Sequence, residues 1–160
     1  MALINVGMGD LKVCKCPDAL TTLALGSCIG IALYDPVTKI GGLAHIMLPD
    51  STAILRNTNR AKFADTAIDD MIDQMIRLGA SPQRITAKLA GGAQMFAVKG
   101  KVNMMNIGEQ NEAATRQKLR QVGIRVVGSD CGKDYGRTVV FYTETGVLEI
   151  KSIGKTINRI

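Results

Sequence analysis

Histidine occurs once in this 160-residue chain, and tryptophan not at all. Three tyrosines and three phenylalanines are the remaining aromatics, too few to supply platforms on which nucleobases stack. The excess of basic residues, +6 in formal charge, contains no basic run and no basic stretch interleaved with aromatics. A nucleic-acid partner is therefore not expected, whereas an acidic protein surface suits a mild, scattered positive charge. The four cysteines follow no regular spacing, which argues against a disulfide framework. No apolar run approaches the roughly 20 residues that span a membrane. The first residues, Met-Ala-Leu-Ile-Asn-Val-Gly-Met, lack a basic leader region and soon meet Asp10, unlike a signal peptide. These absences together predict a soluble, cytoplasmic protein without membrane insertion.

What is present has the size and apolar content of one globular domain, taken as residues 1–160. Alternating segments within residues 2–16 predict early strands, with Cys14 and Cys16 on one face. A metal at Cys14-Lys-Cys16 would need two or more further ligands, for which only Cys28, Cys131 and His45 are available, and paired small core residues are expected instead. Ile29–Tyr34 and Gly42–Leu48 predict two antiparallel strands joined at Asp35-Pro36. Apolar residues at Ala64, Ala67, Ile68, Met71, Ile72, Met75 and Ile76 predict a helix over 60–78, stopped by Gly79. A second helix is expected over 109–122, with Glu109 and Glu112 early and Arg116, Lys118 and Arg120 late, as its dipole favours. Strands at 84–90 and 124–128, a turn at Ser129–Gly132 and a hairpin over 137–151 complete the pattern. The expected fold is an α/β (α+β) sandwich, a mixed sheet with helices packed on it.

One juxtaposition carries chemistry. Cys28 falls just before the first strand of the 29–48 pair, and His45 lies inside the second, so the fold-back can bring thiol and imidazole together. Such a pair suffices for nucleophilic catalysis, since the imidazole activates the sulfur and later returns a proton. Gly26, Ser27 and Gly30 strip bulk from around Cys28 and leave backbone N–H groups suited to an oxyanion. Taken alone, the same two residues also fit a buried small hydrophobe and a satisfied core histidine. Gly91-Gly92 follows a strand without the Lys-Ser/Thr of a phosphate loop, so nucleotide binding is not expected.

The segments Thr22-x-x-Leu-Gly-Ser-Cys28-Ile-Gly30 and Gly41-Gly-Leu-Ala-His45-Ile-Met-Leu-Pro49 resemble the signature of the CheD family, chemoreceptor glutamine deamidases of chemotaxis. So do Ala87-Lys-Leu-Ala-Gly-Gly-Ala93, Asn106-Ile-Gly-x-x-Asn111 and Asp130-x-Gly-x-x-x-Gly-Arg137, in the family's order across nearly the whole chain. The resemblance implies a sandwich related to the catalytic domains of bacterial toxin deamidases. It implies Cys28, His45 and Thr22 as nucleophile, acid–base and orienting residue, with Gly26 and Ser27 near the oxyanion, and no cofactor or metal. It further implies a chemoreceptor cytoplasmic helical bundle as substrate, the phosphatase CheC as partner, and recruitment to receptor clusters. Met95, Phe96, Asn106 and Asn111 are expected on contact surfaces. Gln110, Ala90 and Lys133 depart from the family pattern, all outside the implied triad. Competing expectations are a non-catalytic receptor and CheC adaptor, and a thiol hydrolase or transglutaminase-like enzyme with another substrate.

Overall fold

A computed structural model describes residues 1–53, 59–95 and 106–160. The elements run β1 (Leu3–Asn5), β2 (Leu11–Lys15), β3 (Ala19–Leu25), β4 (Ile29–Asp35), β5 (Ile40–Ile46), α1 (Ala64–Leu78) and β6 (Thr86–Gly91). Then follow α2 (Ile107–Gln121), β7 (Arg125–Cys131), β8 (Arg137–Tyr142), β9 (Val147–Lys151) and the short β10 (Asn158–Arg159).

The strands form two five-stranded sheets, ordered β2-β5-β4-β6-β7 and β1-β3-β8-β9-β10. Each is mixed: β6–β7 and β1–β3 are parallel, and the other pairs antiparallel. At its central strands the first sheet is buried on both faces, so β4 and β5 read as nearly continuous apolar runs. Its odd β4 positions Ile29, Ile31 and Leu33 pack with Ile68, Met71 and Met75 of α1 and Leu119 of α2. Its opposite face sends Ala32, Leu43 and Tyr34 against Leu20, Val139 and Phe141 of the second sheet. The outcome is three layers, helices on sheet on sheet, and the α+β sandwich expected from the sequence.

The β4–β5 connection forms as the Asp-Pro signal predicts. Asp35 is fully buried; one oxygen accepts the Val37 N–H at 3.0 Å and the other the Ser81 N–H at 2.9 Å, while Arg84 grips both, at 3.0 and 2.9 Å. Burial alone would raise its pKa, but Arg84 and these N–H groups hold it well below the usual carboxylate range.

Three boundaries differ from the sequence reading. The first helix begins at Ala64, because Phe63 is extended (φ −112°, ψ 140°) and bridges Leu48, leaving Arg60–Lys62 as a separate 3-10 turn. Ser129, Asp130 and Cys131 are not a turn; they prolong β7, paired in parallel with Leu89, Ala90 and Gly91. Cys16 lies beyond the end of β2, so it does not share a strand face with Cys14. The edge strand β10 was too short to leave a periodic signal.

Candidate active site

The site lies between the two sheets, at the end of the β4–β5 pair away from its connecting turn. Gly30 is directly opposite His45 in the ladder, and Cys28 comes two residues before Gly30. Side chains alternate along a strand, so Cys28 and His45 share the face toward the second sheet, one diagonal step apart. Gly30 leaves that face open between them, and Leu25 fills the space: a Cβ there would stand 3.0 Å from the Leu25 side chain.

Thr22 reaches the same place from the other sheet. Its strand β3 shifts register against β8 between Thr22 and Leu25, with Ala24 in the left-handed region at φ 57°. A β-bulge of this kind lets both Thr22 and Leu25 point inward although their numbers differ in parity. Thr22 Oγ1 is 2.7 Å from Val6 O, to which it donates, and 2.7 Å from His45 Nδ1. A hydroxyl has one proton, and Val6 receives it, so Oγ1 accepts from Nδ1–H. The imidazole tautomer is thereby fixed, and Nε2 carries the free lone pair. Among the described residues Nε2 is buried and has no hydrogen-bond partner. The backbone around His45 is tied down as well, by Gly9 N–H to His45 O at 2.9 Å and His45 N–H to Asp10 O at 3.0 Å. The 6–10 loop therefore both orients Thr22 and brackets the histidine.

Burial pushes the His45 pKa down and the Cys28 pKa up, with the Cys28 N–H beside its own sulfur partly offsetting the latter. Both shifts favour a neutral thiol beside a neutral imidazole at rest. Burial, chiefly, pushes Cys14 to about 11 and Cys131 to about 12.

The turn that carries Cys28 is held by its carbonyls. Gly26 O accepts the Ala93 N–H at 2.9 Å, Ser27 O the Asn111 side-chain amide at 2.9 Å, and Cys28 O the Gly92 N–H at 2.9 Å. In a trans peptide the N–H points opposite to the C=O, so the N–H groups of Ser27 and Cys28 face away from these anchors. The approach of α2 to this turn depends on glycine. A Cβ on Gly108 would come within 2.5 Å of Gly92 O, a distance no side chain tolerates.

The residues expected on contact surfaces divide. Met95 is 45% exposed and sits over Gly26. Asn106 caps α2, its Oδ1 accepting the Glu109 N–H at 2.9 Å, with its Nδ2 donating to the Glu109 side chain. Both line a cleft of about 610 Å³ that also includes Gly92, Glu109 and Lys133 and adjoins the Cys28 turn. Phe96 lies outside the described residues. Asn111 does not belong to a surface: it is fully buried, because the inward face of α2 points its amide at the Cys28 turn. Sequence reasoning missed the Val6 carbonyl altogether, since a backbone acceptor leaves no residue-type signal. Among the described residues no group of three or more His, Cys, Asp or Glu side chains could hold a metal ion. No helix among them is long and apolar enough to cross a membrane.

Comparison with known proteins extends this description. A family model, "CheD chemotactic sensory transduction", matches residues 47–152, beginning just after His45. A "Probable chemoreceptor glutamine deamidase CheD" from Caldanaerobacter subterraneus is 52% identical over 99% of this chain and 98% of its own length. A protein of the same name from Lachnoclostridium phytofermentans is 51% identical, again over 99% and 98%. Among solved structures, Neisseria meningitidis protein NMB0706, of the family DUF152, is similar with a TM-score of 0.52 at 13% identity, covering 83% of this chain and 63% of that one. That last likeness speaks to the fold alone. With half of its residues identical to those relatives over nearly the full length of each, the chain belongs to the CheD family.

Proposed function

We propose that residues 1–160 act as one deamidase domain that converts glutamine side chains of chemoreceptor cytoplasmic helices to glutamate. The observation that carries this reading is the Thr22–His45 hydrogen bond, which leaves Nε2 free on the face that Cys28 shares. The names of the relatives supply the substrate class.

The chemistry follows from the residues. His45 Nε2 removes the thiol proton as Cys28 Sγ attacks the glutamine carboxamide carbon. The N–H groups of Ser27 and Cys28, in the turn that Gly26 opens, stabilise the oxyanion of the tetrahedral intermediate. Collapse of that intermediate breaks the C–N bond, and the imidazolium gives its proton to the departing nitrogen, which leaves as ammonia. Water then attacks the thioester with His45 again as base, and the Cys28 thiol is restored with glutamate released. The sum is glutamine plus water giving glutamate plus ammonia, and no cofactor enters. Thr22 keeps Nδ1 as donor throughout, but a neutral hydroxyl supports the imidazolium less than the aspartate of other triads. Each deamidation places a carboxylate on a helical bundle, a local electrostatic change that biases its packing.

On this reading the protein works at receptor clusters, and the phosphatase CheC is its partner. The exposed Met95 and the cleft containing Asn106 and Lys133 are the surface next to the nucleophile turn where a receptor helix or CheC would lie.

The test is ammonia release from a purified chemoreceptor cytoplasmic fragment, with mass spectrometry for replacement of amide by acid. Release from the wild type that disappears in Cys28→Ala is the expected result. Binding of the fragment without release, in both proteins, would favour the non-catalytic adaptor.

A further inference from the structure

We propose that Asn111 is a positioning residue for Cys28 and His45: its side-chain amide ties the turn before the nucleophile to the strand that has just carried the base. The inference rests on the reading of these two residues as nucleophile and base. Asn111 Nδ2 donates to Ser27 O at 2.9 Å and to Met47 O at 3.1 Å. Ser27 immediately precedes Cys28, and Met47 lies two residues after His45. One –NH2 group, with two protons, thus bridges the ends of β4 and β5 where their own ladder stops at Ile29–Ile46. Both neighbours are carbonyl oxygens, which only the nitrogen end of the amide can satisfy, so the orientation of the side chain is settled chemically.

The bridge comes from a third element, α2, whose position is fixed independently. Asn106 caps the helix and Gly108 abuts Gly92. Asn111 is fully buried, and its donors are spent on the two carbonyls rather than on solvent. Holding Ser27 O fixes the plane of the Ser27–Cys28 peptide and therefore the direction of the Cys28 N–H. That N–H lies beside the Cys28 sulfur and opposes the effect of burial on the thiol. Loss of the amide frees the peptide to rotate and lets the β4 and β5 ends part. A displacement on the order of 1 Å costs about 100-fold in rate.

The experiment compares Asn111→Ala and Asn111→Asp with Thr115→Val, a control that removes a buried hydroxyl one turn away. Asn111→Asp keeps shape and volume but sets oxygens against two carbonyls, so an empty cavity cannot account for its behaviour. The expected result for both Asn111 variants is a fall in kcat of about 10- to 100-fold. KM should remain within about twofold, because no substrate contact is lost. Alkylation of Cys28 by iodoacetamide should slow, and its pH profile move upward, while Thr115→Val alkylates as the wild type does. A loss confined to KM, or an unchanged alkylation profile in folded variants, overturns the proposal. Should Asn111→Ala fail to fold, Asn111→Ser takes its place; failure of all three to fold makes the residue structural and overturns it too. Alkylation needs no receptor, so the two readings fail separately. A wild type that releases no ammonia, yet alkylates faster than Asn111→Asp, removes the deamidase and keeps the positioning role.

Discussion

The two faces of the central sheet are written by alternate residues of the same strands, yet they differ in kind. Toward the helices, Ile29, Ile31, Leu33, Ala44 and Ile46 meet Ile68, Met71 and Met75 in a wholly apolar contact. Toward the second sheet, the same strands give Tyr34, Ala32 and Leu43 at one end, against Phe141, and Cys28 and His45 at the other. The first face holds the fold together and tolerates only volume-conserving change. The second combines a core with a reactive corner, where the buried Thr22 and His45 require partners. Strand alternation is what allows this, because Cys28 and His45 are flanked in sequence by Ile29, Ala44 and Ile46, which anchor the other face.

Substitutions that separate the faces sharpen the contrast, and the largest effect belongs to the reactive corner. Cys28→Ala should abolish ammonia release, by about 1000-fold or more, while the melting temperature stays close to that of the wild type. Collapse of the fold instead would make Cys28 a core residue. On the helix-facing side, Ile31→Ala should do the reverse. Chemical denaturation should show a loss of about 2–5 kcal/mol, with kcat per folded molecule unchanged.

Thr22→Val is the intermediate case, since it keeps the shape but leaves His45 Nδ1–H without its acceptor. Turnover should drop by about 10- to 100-fold, as is typical when an orienting partner of a histidine is removed. Rescue of activity by Thr22→Ser, but not by Thr22→Val, would assign the effect to the hydroxyl.

The smallest effect is in pH dependence. Burial holds the His45 pKa below its ordinary value, so kcat/KM should persist to a pH below that of a free imidazole before its acid limb appears. The stability contribution has the matching sign. In the window between the lowered folded pKa and the ordinary imidazole value, the unfolded chain binds a proton that the folded chain does not. The His45 contribution to stability is therefore complete above the ordinary value and declines as the pH falls through that window. Denaturant titrations of wild type and His45→Gln across it should converge in their pH slope only if another group is responsible.

Part of the candidate site is legible in the sequence, for reasons that particular residues make clear. The β4–β5 pair follows from two apolar runs around Asp35-Pro36, whereas its register, with Gly30 opposite His45, is set only in the folded ladder. The α1 stripe was equally plain, although its start was not. Phe63 is apolar and in phase with the helix, and only its bridge to Leu48 shows that the chain there is extended. Ser129–Cys131 looked like a turn because its residues are small and polar. Parallel pairing with β6 supplies the hydrogen bonds that their own propensity does not.

The sequence by itself determined the α1 stripe and the β4–β5 hairpin that carries Cys28 and His45, because periodicity and residue type are local properties. Tertiary structure decided everything that depends on a backbone atom or on a different sheet. It brought Thr22 across from β3 by way of a bulge, assigned its proton to the Val6 carbonyl, and so left His45 Nε2 free. It also turned Asn111 inward onto two carbonyls rather than outward to a partner. A carbonyl is the same in every residue, so no reading of side chains along the chain could have located those acceptors.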